Sequence, residues 1–405
     1  MYRPLDTFGQ NPIGKSYSLE IFVARPRRFE PSFDACKDSL RSDGVLLRME
    51  RPKFQRGRGA VSNPPNRFEE IHLERSQDWD SEGEEAVAPQ TRFFRDATQS
   101  IITYNDSPDI PFDASLNLYR GCEHGCSYCY ARPTHEYLGF SAGLDFETKI
   151  MVKEQAPILL RRELASPRWK PQVIALSGVT DCYQPIERKL ELTRRCLQVL
   201  AEFRNPVGLV TKNRLVTRDI DVLSELARYR AVKVSLSINS LDSELARRLE
   251  PRASLPSARL AALAQLTQAG IPAGVMVAPV IPGLNDHEIP AVLRAARDAG
   301  AHWAGMEILR LPLTVAPVFL EWLERNEPQK QAKILARIRS IRGGKLNDPR
   351  FGIRMTGEGI HAEQISQMFE VARRRAGFDE DWPELSTAAF RRASGNQLEL
   401  DIADL

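Results

Sequence analysis

Residues Tyr119–Tyr137 read YRGCEHGCSYCYARPTHEY and place Cys122, Cys126 and Cys129 in a C-x3-C-x2-C spacing. The remaining cysteines, Cys36, Cys182 and Cys196, are scattered. That distribution suits the reduced thiols of a cytoplasm better than a disulfide framework, and clustered thiols there point to metal or redox chemistry. Three readings follow. A structural zinc site needs a fourth ligand, which His124 or His135 would supply. An iron–sulfur cluster accepts tightly spaced cysteines. A redox thiol pair is the third. Spacing alone leaves zinc and iron open.

The cysteines follow the first of six apolar runs: ASLNLYRG (114–121), QVIALSG (172–178), VGLVTK (207–212), VKVSLSI (232–238), PAGVMVAPV (272–280) and WAGMEILRL (303–311). Amphipathic segments separate them. RKLELTRRCLQVLAEF lays Leu190, Thr193, Leu197 and Leu200 along one face, and ARLAALAQLTQAG stops at Gly270. Thr217 and Asp219 offer capping chemistry ahead of DVLSELARY. Strand–helix units of this kind predict parallel strands joined by right-handed crossovers. Nearly continuous apolarity predicts strands covered on both faces. Six units fall short of a closed eight-stranded barrel, so the expected fold is α/β, a partial (β/α)6 TIM-type barrel with its chemistry at the strand C-terminal ends.

Around that core, 108–345, lie two extensions. Residues 1–107 carry a basic segment, RPKFQRGRGAVSNPPNRFE, then an acidic one, EEIHLERSQDWDSEGEEAV. Both read as an irregular, solvated arm. Met49 is a candidate start. Residues 346–405 hold a helix, AEQISQMFEVARRRAGF, preceded by loop or hairpin and followed by a loose tail. Net charge is +3, too small to argue for nucleic acid by itself. No run of some 18 apolar residues implies a membrane span, and the N-terminus lacks the apolar region of a secretion signal.

The C-x3-C-x2-C motif with Tyr128 before its last cysteine, at the end of the first strand of a βα array, resembles the radical S-adenosylmethionine (SAM) superfamily over about residues 108–345. CSYCYARPTHEYLG, TDCYQPIE, VTKN, SLSIN, LEPR and PGLND together look like the branch related to spore photoproduct lyase, the DNA-repair photolyase-like proteins. The resemblance implies a [4Fe–4S] cluster held by Cys122, Cys126 and Cys129. One iron is then free of protein ligands and takes the amino and carboxylate groups of SAM. It also implies reductive cleavage to a 5′-deoxyadenosyl radical, hydrogen abstraction from a substrate, and an electron donor of flavodoxin or ferredoxin type.

On this resemblance, Ser177, Thr180 and Asp181, where the superfamily has a Gly-Gly-Glu-like turn, are candidates for the SAM amino group. Lys212 is the candidate for the carboxylate, Ser237 and Asn239 for ribose or carboxylate, and Arg252 for a second carboxylate contact. Tyr128 and Tyr130 occupy the lyase's cluster-flanking tyrosine positions, for radical transfer or for packing. The lyase's hydrogen-donor cysteine precedes its Ser/Thr-Asp pair. Here Cys182 follows Thr180-Asp181, which argues against thymine-dimer lysis, with Cys182 as an alternative donor, Tyr183 as relay, or Cys182 a small buried residue. The bland reading of each lysine or arginine is a surface charge. His124 reads as lining the cysteine loop and His135 as holding it by a hydrogen bond. The tail QLELDI (397–402) is similar to peptides that dock on the DNA sliding clamp, with Asp401 where an aromatic anchor is usual. The function expected is a radical SAM enzyme acting on nucleic acid or a nucleotide-derived lesion. The alternatives are another substrate class, or a zinc-stabilised adaptor without catalysis.

Overall fold

The computed structural model describes residues 57–68, 90–378 and 384–392. Cys36, Met49, the acidic stretch and the QLELDI tail lie outside them. Ten strands occur among the described residues: β1 Arg92–Arg95, β2 Ile102–Tyr104, β3 Ala114–Leu116, β4 Tyr119–Arg120, β5 Lys149–Val152, β6 Ile174–Leu176, β7 Val207–Thr211, β8 Val232–Ser237, β9 Ala273–Val280 and β10 Ala304–Ile308. The main sheet runs β2-β3-β6-β7-β8-β9-β10. Its last six strands are the six apolar runs, mutually parallel and in chain order.

The strands are buried on both faces, as their apolarity predicted. Val232, Val234, Ser235, Leu236 and Ser237 of β8 are all covered. Helices Leu192–Phe203, Ile220–Ala227, Pro256–Gln268 and Ile289–Asp298 supply much of the covering. Leu192, Cys196, Leu197, Leu200 and Phe203 all enter the core from the first of these. Burying each large apolar side chain contributes about 1.5–3 kcal/mol. The fold is thus mixed α/β around a parallel sheet, and that sheet does not close among the described residues. No helix there is long and apolar enough to cross a membrane.

Several local expectations are corrected. β1 and β2 fall in the stretch expected to be irregular. β2 pairs antiparallel with β3 and covers that edge of the sheet, while β1 and β4 flank β5 in a small second sheet. The segment expected as one helix from Arg188 to Phe203 is two, Glu187–Leu190 and Leu192–Phe203, parted at Glu191 with φ 51°. The buried carboxylate of Glu187 causes the break, accepting from Thr193 N at 2.9 Å and Tyr119 Oη at 2.5 Å. Asp219 makes no side-chain cap. Its carboxylate instead accepts from Tyr183 Oη (2.9 Å), Arg194 and Arg218. After Arg342 there is a helical turn, Ile353–Thr356, rather than a hairpin. The helix Ile360–Arg375 then forms where a helix was expected.

The largest correction concerns the basic arm. Residues 57–68 are packed along part of their length: Gly59, Ala60, Val61 and Asn66 are buried, while Asn63, Pro65, Arg67 and Phe68 face solvent. Their composition rules out a regular element, but the backbone donors and acceptors find partners in the core instead of water.

Candidate active site

The cysteine loop leaves β4 and crosses the C-terminal ends of the parallel strands. Cys126 and Tyr128 pack with Leu249, Ile281, Leu309, Leu311 and Val315, so the loop reaches the far end of the sheet. Its backbone is tied at many points. Cys122 N donates to Phe146 O (2.9 Å), Ser127 N to Leu249 O (3.0 Å) and Glu123 N to Gln184 Oε1 (2.9 Å). The Glu123 carboxylate accepts from Ile186 N (2.8 Å) and Arg252 (3.2 Å). The guanidinium of Arg132 grips Cys126 O through Nε (3.0 Å) and Nη2 (2.8 Å). These contacts fix the path of the loop across the strand ends.

Cys122 and Cys126 are each 7% exposed and Cys129 is half-buried. Burial, then the nearby Cys122, pushes the Cys129 thiol up to about 11, and burial with the facing Glu250 pushes Cys126 up as well. Such a pocket holds protonated thiols until a cationic centre supplies the compensating charge. Among the described residues, no three or more His, Cys, Asp or Glu side chains converge on a point that would hold a single ion. The two nearby histidines differ in how their ring nitrogens are engaged. His124 is wholly covered, with Nδ1 3.3 Å from Asp181 Oδ2 and Nε2 3.3 Å from Asn213 Nδ2. Burial opposes its cation, but the Asp181 carboxylate outweighs that and raises it to about 10. His135 sits edge-on to Phe146 and tilted against Phe140, with neither ring nitrogen in a hydrogen bond of ordinary geometry. Its ring packs against both, and the backbone of Asp145 and Lys149 lies against its nitrogens.

At the second strand end Ser177 has φ 76°, a strained position for a residue with a Cβ. Its Oγ accepts from Cys182 N at 2.8 Å. Thr180 Oγ1 donates to Tyr119 O (3.0 Å). Asp181 is saturated by protein donors: Tyr183 N (2.9 Å) and Thr211 Oγ1 (2.7 Å) on one oxygen, Lys212 N (2.8 Å) and His124 on the other. These contacts, against the cost of burial, hold its carboxyl near about 2. Asp181 thus pins the cysteine loop to the third strand end. Cys182 is 2% exposed in the main core and its thiol is pushed up by burial. Tyr183 is fully buried with its hydroxyl spent on Asp219.

Beyond β7, Lys212 Nζ donates to Ser237 Oγ (2.5 Å) and lies 3.6 Å from Glu250. Ser237 Oγ donates to Ala278 O (2.9 Å). Asn239, just past β8, is 1% exposed, and neither its Oδ1 nor its Nδ2 has a partner. Arg252 braces the loop through Glu123 rather than standing open to a ligand. Tyr128 Oη donates to the buried Glu250 carboxylate, which also pairs with Arg259. Tyr130 is exposed, donating to Gly178 O (2.7 Å) beneath the Arg310 guanidinium.

The structure thus brings the three cysteines, Lys212, Ser237 and Tyr128 together, and commits Thr180, Asp181 and Arg252 to internal contacts. Glu250 was missed although it lies in the LEPR motif. Its signal was a carboxylate next to proline at the end of a short amphipathic helix.

Residues 116–296 match the model of the Radical SAM superfamily. An uncharacterized protein of Mycobacterium tuberculosis is 38% identical over 222 residues, 54% of this chain and 65% of the relative's length. An uncharacterized protein of Methanocaldococcus jannaschii is 31% identical over 173 residues, 43% of this chain and 62% of its own. The chain therefore spans somewhat under two thirds of these relatives. Among solved structures, a cysteine-to-serine variant of spore photoproduct lyase superposes with TM-score 0.51 at 16% identity, covering 70% of this chain and 79% of that one. That likeness is one of fold.

Proposed function

We propose, on the match of residues 116–296 to the Radical SAM superfamily model, that the protein is an enzyme binding a [4Fe–4S] cluster through Cys122, Cys126 and Cys129. It uses SAM to remove a hydrogen atom from a substrate. One observation carries this reading. Cys122, Cys126 and Cys129 stand in C-x3-C-x2-C on one loop across the C-terminal ends of the parallel strands, within the residues that match the radical SAM model. Three thiolates on three irons of one cluster fit that spacing.

When bound, the cluster and SAM supply a one-electron cleavage of a carbon–sulfur bond. The chain's own residues do the rest. Lys212 offers a cation for the SAM carboxylate, held ready by Ser237 and Glu250. Asn239 offers a donor and an acceptor to a polar ligand group that would end its isolation. Asp181, Arg132 and Arg252 position the loop. We read the open sheet as a partial TIM-type barrel with the loop across its C-terminal end, and the reductant as a small flavodoxin- or ferredoxin-type carrier. A nucleic acid or nucleotide-derived substrate is supported by the motif resemblance. Thymine-dimer lysis is not proposed, because Cys182 lies past Thr180-Asp181 and is sealed in the core.

Anaerobic reconstitution tests the reading. The expected result is about four irons per chain and 5′-deoxyadenosine released from SAM after reduction. Alanine at any one of the three cysteines should abolish release. Stoichiometric zinc with intact SAM would instead establish the adaptor.

A further inference from the structure

We propose that residues 57–68 form a strap that holds the cysteine loop in its ligating shape, with Gly59 and Glu147 as positioning residues. This rests on the reading of Cys122, Cys126 and Cys129 as cluster ligands. Gly59 N and Ala60 N donate to the buried Glu147 carboxylate at 3.1 and 2.8 Å. Arg132 Nη2 donates to the same carboxylate at 2.6 Å while gripping Cys126 O. One carboxylate therefore couples the strap's backbone to the carbonyl of a ligand cysteine. Sterics close the same seam. A Cβ on Gly59 would lie 1.7 Å from the oxygen of Gly125, the residue directly before Cys126, so only glycine lets the strap approach.

The strap then runs on to anchor elsewhere. Leu144 N donates to Ser62 O (3.1 Å), and Asn63 exchanges hydrogen bonds with Asp145 at 3.0 and 2.9 Å. Asn66 Nδ2 donates to Glu136 O and Phe140 O, and Arg67 pairs with Glu136 at 2.6 Å. Ser62 Oγ reaches Glu321 (3.0 Å), and Ala60 and Leu144 pack with Val318. Glu321 and Val318 belong to helix Val315–Asn326, which follows β10. The strap thus ties the loop after the first parallel strand to the helix after the last, bridging the open sheet where the candidate ligands stand. Ordering the loop in advance removes an entropic cost from binding the cluster.

The test is the full chain carrying Gly59→Val, reconstituted anaerobically beside the parent. The expected result is a chain that stays folded by circular dichroism, loses iron to a chelator about tenfold faster, and shows a shifted, broadened electron-spin signal in the reduced state. The double variant Asn63→Ala/Arg67→Ala loosens the strap from its exposed side. It should move both readouts in the same direction by less, and it decides the matter if Gly59→Val does not fold. Lower melting temperature with unchanged iron release and an unchanged signal would overturn the proposal, because a purely structural strap predicts that outcome. A parent chain that takes up no iron would defeat the cluster reading itself.

Discussion

Asn239 carries a cost that folding alone does not explain. A buried polar group without a partner destabilises by about 1–3 kcal/mol, whereas an apolar group of similar shape there is nearly neutral or favourable. Asn239→Leu should therefore leave the melting temperature unchanged or raised, while weakening SAM binding about tenfold by equilibrium dialysis, the loss of roughly one hydrogen bond's worth of affinity. A fall in both would mean that the carboxamide is structural. Tyr183 leads to the opposite expectation. Its hydroxyl serves Asp219, which retains Arg194 and Arg218. Tyr183→Phe should cost about 1 kcal/mol in urea unfolding and leave the yield of 5′-deoxyadenosine intact; a lost yield would restore it as a relay. At this scale the sequence exposes residue types better than roles. The cysteines are legible because three thiols in eight positions have few other uses. Asp181 and Arg252 are not, because an acid or a base at a strand end looks the same whether it faces a ligand or braces a loop.

At the scale of elements, apolar runs and their spacing are enough to place all six parallel strands, since burial on both faces leaves a strand little room for polar residues. What periodicity misses is decided by single buried charges, as at Glu191, where Glu187 turns the chain. The same kind of charge organises the end of helix Ser243–Leu249. Glu250 follows it directly and faces Tyr128, Lys212 and Arg259. Burial raises the Glu250 carboxyl, but the Arg259 and Lys212 cations outweigh this and hold it below its ordinary range. Glu250→Gln would leave the Arg259 cation, which is 1% exposed, without its carboxylate and with only the carbonyls of Ser237 and Ser254 as acceptors. The expected loss is about 3–5 kcal/mol, the cost of breaking a buried pair by removing one partner. Calorimetric melting of the apoprotein measures it free of any effect on the cluster, and a loss below 1 kcal/mol would mean that Arg259 finds another partner.

At the scale of the whole molecule, the arm shows where composition misleads. Gly, Arg, Pro and Asn exclude helix and strand, and that much is legible. Whether such a segment meets water or a groove depends on partners far along the chain, such as Glu147 and Glu321, which no local pattern reveals. The strap has a measurable signature. The Gly59 and Ala60 amides belong to no helix or strand, yet they should exchange with deuterium as slowly as those of β8, because both donate into buried Glu147. Fast exchange there would mean that the strap opens on its own. Ser62 and Glu321 stand 259 positions apart. During synthesis the strap's near anchors at Glu136 and Glu147 exist well before Glu321, so its farthest anchor is added only when nearly the whole sheet has been translated. On the cluster reading proposed above, a nascent chain would carry its thiols on a loop held by the near anchors alone, and only a nearly finished one adds the far anchor.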